Sequence, residues 1–239
     1  MDFRSATPHP SIYQAVRKTY LTQPAARSVV RQFGLVALGV KPSSLNVFYL
    51  DASHKPYFGS SNSLWDPETF LNIITRHGLK ISTSLTAKNN YLIAAALDLT
   101  TAQRVCELYE LTERASGRKL TDRPIDESHI YELGALFGYP RSGTESLLGY
   151  RGQAHRELVL GRLALEDRPF MECSIAGDPG GLDEGLEYFR ALGRVFREAY
   201  DVPTSLEATT ASCQIAARQT IQPRPLISLG VAASMVSNS

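Results

Sequence analysis

Residues 182–200, LDEGLEYFRALGRVFREAY, constrain the fold of this chain more than any other stretch. Leu182, Leu186, Phe189, Leu192, Val195 and Phe196 recur at three- and four-residue intervals. That spacing puts them on one side of an α-helix, with charged residues on the other. A helix so sharply divided must lay its apolar side on an equally apolar partner, so several further elements have to supply a core.

The rest of the chain offers them. Ile12, Ala15, Val16 and Tyr20 predict a first helix, with Ser11 as its N-cap. Pro24 opens a second, carrying Val29, Val30 and Phe33, and Gly39 and Pro42 end it. LNVFYLDAS, from Leu45, is short, β-branched and aromatic, and predicts a strand. WDPETFLNIITRHGL predicts a helix capped by Asp66, opened by Pro67 and stopped at Gly78. KISTSLT alternates as a second strand, while NNYLIAAALD reads as either helix or buried strand. From Thr100 the pattern turns helical, with Val105, Leu108, Leu111 and Thr112 on one stripe. Asp126 is placed to cap ESHIYELGALFG; GTESLLGYRG and AHRELVLGRLALED read as further helices. PFMECSIAG is a candidate third strand, and Pro203 opens a candidate helix TSLEATTASCQIAARQ. The expected class is therefore α/β or α+β, helix-rich, with a small sheet covered by helices.

A chain of 239 residues, 43% hydrophobic and 21% charged, is sized for one globular domain over 1–239. Residues 117–124, GRKLTDRP, are the expected subdomain joint, and 222–239 the expected frayed tail. A net charge of +1 gives no field to gather nucleic acid. No apolar run reaches the roughly 18 residues of a membrane helix. MDFRSATPHPS carries no export signal pattern, and Cys106, Cys173 and Cys213 form no disulfide framework. Together these lead to the expectation of a cytoplasmic protein with neither nucleic-acid nor membrane partners.

Function is carried, if anywhere, by GALFGYPRSGTESLLGY, residues 134–150. Two physical readings compete. In one, Arg141, Ser142, Gly143 and Thr144 form a cradle in which helix-start N–H groups, a guanidinium and hydroxyls hold an anion. In the other, Gly138 ends one helix in a left-handed conformation, Pro140 breaks it, and Ser142 with Glu145 forms an S-x-x-E capping box for the next.

The segment GYPRSGTESLL resembles the donor-phosphate loop of sulfotransferases that use 3′-phosphoadenosine 5′-phosphosulfate, matching at Arg141, Ser142, Gly143 and Thr144. That resemblance implies a strand leading into Pro140 within a parallel sheet. The chain also resembles a poorly characterised prokaryotic family with a Leu-Gly-Tyr-Pro turn followed by paired cysteines and a later Pro-Cys-Ser segment. Leu133-Gly134, Gly138-Tyr139-Pro140 and Cys173-Ser174 match it, as does LGVKPSS for an earlier Leu-Gly-x-Lys-Pro stretch. Ser142 and Gly143 stand where that family has its paired cysteines. A thiolate metal site needs three or four soft ligands, so no metal role carries over.

Other chemistry is sparse. His129 and Glu132, three apart on a predicted helix, share a face and with His155 or Glu157 make an N/O donor set. The paired Glu-x-x-His pattern of a carboxylate-bridged bundle is absent, so no metal is assigned. Glu107, Glu110 and Glu113 read as the solvated face of their helix, Cys106 and Cys213 as core, and GDPGG, residues 177–181, as a turn begun by Asp178. The candidate catalytic residues are His129, Glu132 and Cys173; the candidate ligand-binding residues are Tyr139, Arg141, Ser142 and Thr144. No residue pattern specifies a cofactor. The expected function is that of an enzyme or enzyme-like protein acting on a small polar or anionic metabolite, with Arg141 holding the anion and His129 or Glu132 moving a proton. The alternatives are a non-catalytic accessory or binding protein that has lost its family's cysteines, and a sulfotransferase-like enzyme.

Overall fold

The computed structural model describes residues 7–50, 56–57, 67–86, 90–116 and 126–205. The expected joint at 117–124, the helix expected beyond Ser205, the tail at 222–239 and Cys213 lie outside them. Proline placement sets the first helices. Pro10 occupies the first position of α1 (Pro10–Thr22), and Pro24 opens a single 3₁₀ turn that leads into α2 (Arg27–Ala37). The cap of α1 is His9, not Ser11: its imidazole accepts from the Ser11 backbone N–H at 3.3 Å. Pro10 fixes the helical φ one residue earlier than the apolar spacing shows.

Then come β1 (Ser43–Leu50), β2 (Pro56–Tyr57), α3 (Pro67–Arg76), β3 (Lys80–Leu85) and β4 (Asn90–Ala96). They form one antiparallel sheet in the order β2-β1-β4-β3. The segment NNYLIAAALD is thus a strand, and a central one. In β4, Leu92, Ala94 and Ala96 face one side and Ile93 and Ala95 the other, and all five are buried. A strand buried on both faces reads as a continuous apolar run, which is why its period is uninformative.

Each face has its own helical cover. On one, α4 (Leu99–Ser116) lays Ala102, Val105, Cys106 and Leu108 against Leu92, Ala94 and Ala96. On the other, α1, α2, α3 and α8 (Pro179–Tyr200) share a larger core with Phe48, Ile93 and Ala95. The apolar side of α8 points into that core as its spacing requires. Phe196 packs among Tyr20, Phe170 and Tyr200, with ring centroids 5.0–5.8 Å apart. Each such side chain contributes about 1.5–3 kcal/mol of burial. The architecture is helix-rich α+β, a small sheet between helices.

Three short helices complete the described chain: α5 (Glu127–Leu136), α6 (Arg141–Leu147) and α7 (Arg156–Arg162). α5 packs on α4 and α6 packs on α8, so their corner bridges the two helical layers. The expected strand at PFMECSIAG is not formed. Arg168–Phe170 is a 3₁₀ turn, and residues 171–177 are irregular apart from one bridge, Gln153 to Ala176. That segment lies on α8 instead of beside a strand. Ile175 sits over Gly185, where a Cβ would come within 2.8 Å of its Cγ1, and the Ile175 carbonyl accepts from the Ala154 N–H at 2.9 Å. Among the described residues no helix is long and apolar enough to cross a membrane.

Candidate functional site

The α5–α6 corner is built by local chemistry at both ends. Asp126 caps α5 by accepting from the Ser128 N–H at 2.9 Å. Gly138, at φ +70°, reverses the chain where an L side chain would be strained. A Cβ there would come within 3.0 Å of Pro42 Cδ, and the Ser43 hydroxyl donates to the Leu136 carbonyl at 2.7 Å, so the corner is pinned to the start of β1. Pro140 is then the N-cap residue of α6.

The expected capping box does not form. Ser142 lies inside the first turn of α6, where its hydroxyl donates to the Glu184 carboxylate of α8. Glu145 meets Arg141 Nε at 2.9 Å and Arg151 at 3.7 Å. Both side chains are drawn to partners distant in sequence or charged, and neither serves the helix terminus. Close packing holds the corner in place. A Cβ on Gly134 would come within 2.3 Å of Thr144 Oγ1, and one on Gly143 within 2.5 Å of the Ser174 carbonyl.

The donor-phosphate arrangement needs a strand before Pro140 in a parallel sheet. The chain has helix α5 there and an antiparallel sheet elsewhere. At the start of α8, the Asp178 carboxylate itself accepts from the Gly181 N–H at 3.1 Å and is clasped by Arg151, so that helix end is already occupied.

A groove of about 450 Å³ opens between α5 and α6, lined by Tyr131, Ala135, Tyr139, Arg141 and Thr144. The Arg141 side chain is 80% exposed at its mouth, with the guanidinium carbon 5.9 Å from the centroid of the Tyr131 ring. Three of the four residues expected to bind a ligand, Tyr139, Arg141 and Thr144, therefore share one groove; Ser142 faces away from it, toward α8.

The expected catalytic residues do not converge there. Glu132 receives two hydrogen bonds from Arg104 of α4, at 2.7 and 2.8 Å, and that guanidinium holds its carboxyl below the usual range. His129 stands 3.8 Å from Asp126, and neither it nor Glu132 lines the groove. His155 and Glu157 are exposed at the start of α7, and among the described residues no group of three His, Cys, Asp or Glu is placed to hold a metal. Cys173 is half-buried beneath Gly143, and burial followed by the Glu172 charge pushes its thiol up to about 12. It is a protonated thiol at neutral pH and not an activated nucleophile.

Two residues outside the expected set occupy the centre. Lys41 Nζ lies 2.5 Å from Glu172 Oε2 and 2.8 Å from Gln32 Oε1, and 5.3 Å from the centroid of the Tyr139 ring. The Lys41 and Glu172 side chains are 1% and 6% exposed. Tyr139 and Tyr188 nearby have hydroxyls pushed up by burial and by the Glu172 charge. The signal for Lys41 in the sequence is a lysine directly after the apolar run LVALGV; Glu172 carries none, since one carboxylate between Met171 and Cys173 is unremarkable. The segments carrying Lys41, Tyr139 and Cys173 meet here in space. No family model matches the chain, and neither a curated protein nor a solved structure is significantly similar to it.

Proposed function

We propose that this protein binds a small anionic metabolite in the groove between α5 and α6, as a binding site and not as a catalytic one. The observation that carries the reading is the groove itself: two tyrosines, a threonine and one largely exposed guanidinium around about 450 Å³, a volume within the range of small-molecule sites. Tyr131 and Tyr139 offer apolar walls to a flat body, and Arg141 a fork for a carboxylate or phosphate. The Arg141–Glu145 contact is solvent-exposed at its arginine end and gives way to a ligand at small cost. A non-catalytic role is favoured because Glu132 is committed to Arg104 and Cys173 is held as a thiol, leaving the groove without an acid, base or nucleophile from the expected set.

Titration of the whole protein with benzoate and with inorganic phosphate, followed by amide NMR, tests this. Shifts at Tyr131, Ala135 and Tyr139 are expected, and Arg141→Ala should weaken binding about tenfold, the loss of one charge-assisted contact. Unchanged affinity in Arg141→Ala would remove the reading.

A further inference from the structure

A second cleft, of about 410 Å³, lies between residues 153–159 and 171–175, with Glu172 on its wall. Glu172 lines it with an anomaly: Oε2 is held by Lys41, but Oε1 is buried and has no hydrogen-bond partner. An ionised oxygen buried without a donor is costly, and such atoms in native proteins call for an explanation. Across the same cleft stands Arg156, an exposed cation with no hydrogen bond or ion pair to any described residue. The remaining wall is mixed: Ala154, Val159, Met171 and Ile175 are apolar, while Gln153 donates to the Ser174 hydroxyl at 2.9 Å.

We infer that this cleft binds a small apolar α-amino acid, or a zwitterion of the same design, with its ammonium on Glu172 and its carboxylate on Arg156. The two charges select against simpler ligands. Lys41 and Glu172 neutralise each other, so a plain cation gains a donor contact at Oε1 but faces Arg156. A plain anion gains Arg156 but meets the Glu172 carboxylate. Only a ligand carrying both charges satisfies both ends, and a short hydrocarbon side chain then covers the part-exposed Ala154 and Met171. Glu172 Oε1 is withdrawn from solvent, so the ammonium reaches it only where the wall yields, and Met171 beside it is the flexible side chain suited to do so. The site shares no lining residue with the α5–α6 groove and stands or falls separately from it.

Isothermal titration of the full chain with L-leucine, N-acetyl-L-leucine and isoamylamine tests the assignment. L-Leucine should bind more tightly than ~10 mM, and both analogues at least about tenfold more weakly. Arg156→Ala, a surface change that leaves the fold intact, should weaken L-leucine and strengthen isoamylamine, which no longer faces a guanidinium, so that the two bind alike in the variant. Arg141→Ala should leave L-leucine binding unchanged. No L-leucine binding, equal binding of N-acetyl-L-leucine, or an unaltered L-leucine affinity in Arg156→Ala would each overturn it.

Discussion

Lys41 and Glu172 stand 131 residues apart in the chain and 2.5 Å apart in the fold, both withdrawn from water. One comes from the turn after α2, the other from the irregular segment laid on α8. The pair joins the early and late parts of the chain beneath both candidate ligand sites.

Removing one partner of this pair should be far worse than removing both. Lys41→Met leaves the Glu172 charge buried and uncompensated, at a cost of about 3–5 kcal/mol. Adding Glu172→Leu should recover most of that loss. Urea denaturation of the two single variants and the double variant measures the difference; additive losses would show that the pair is not coupled.

The corner should reject side chains at its two glycines, for different reasons. Gly134→Ala drives a methyl into the Thr144 hydroxyl and should destabilise by about 1–3 kcal/mol, with Thr144→Ala relieving it. Gly143→Ala meets the Ser174 backbone carbonyl, which no side-chain substitution removes. Thermal unfolding of Gly134→Ala with and without Thr144→Ala decides this, and Gly143→Ala should stay destabilised in either background.

The Cys173 thiol should alkylate slowly at neutral pH. Its folded value of about 12 lies above the ordinary thiol value of about 8.5. The folded state therefore holds a proton that the unfolded chain releases first. The contribution to stability is complete below pH ~8.5 and is lost as pH rises toward 12. Iodoacetamide labelling read by peptide mass should modify Cys173 more slowly than it does in urea, and Cys173→Ser should flatten part of the alkaline fall in melting temperature.

Glu132→Gln should leave ligand binding in the α5–α6 groove intact and lower stability slightly. The lowered carboxyl value means its contribution is present above the unfolded value near 4.3 and is lost as pH falls through the folded one. Because the Arg104 contact is half-exposed, the deficit should shrink at about 1 M salt, where screening reaches ~3 Å. Melting temperatures at low and high salt provide the check.

Apolar period and proline placement made α3, α5, α8, β1 and β3 legible in the sequence, because each is set by local chemistry and one buried face. The same logic placed Tyr139, Arg141 and Thr144 at one corner. It failed where a distant partner decides. Ser142 has the spacing of a cap, yet Glu184 of α8 takes its hydroxyl. MECSIAG has the composition of a strand, yet it fills the channel over Gly181 and Gly185. Glu132 has the look of a proton carrier, yet Arg104 holds it. Glu172 is visible only once Lys41 lies beside it.

The long separation of Lys41 and Glu172 also has a consequence in time. At ribosomal rates of about 5–20 residues per second, Lys41 leaves the peptidyl-transferase centre roughly 7–26 s before its counter-ion. Through that interval the ammonium has no carboxylate to accompany it out of water, so the turn after α2 cannot close on its final burial. The last-made part of the described chain, the 171–176 segment together with the helix that supports it, therefore acts as the latch of co-translational folding. The cleft walled by residues 171–175 comes into being in that closing step.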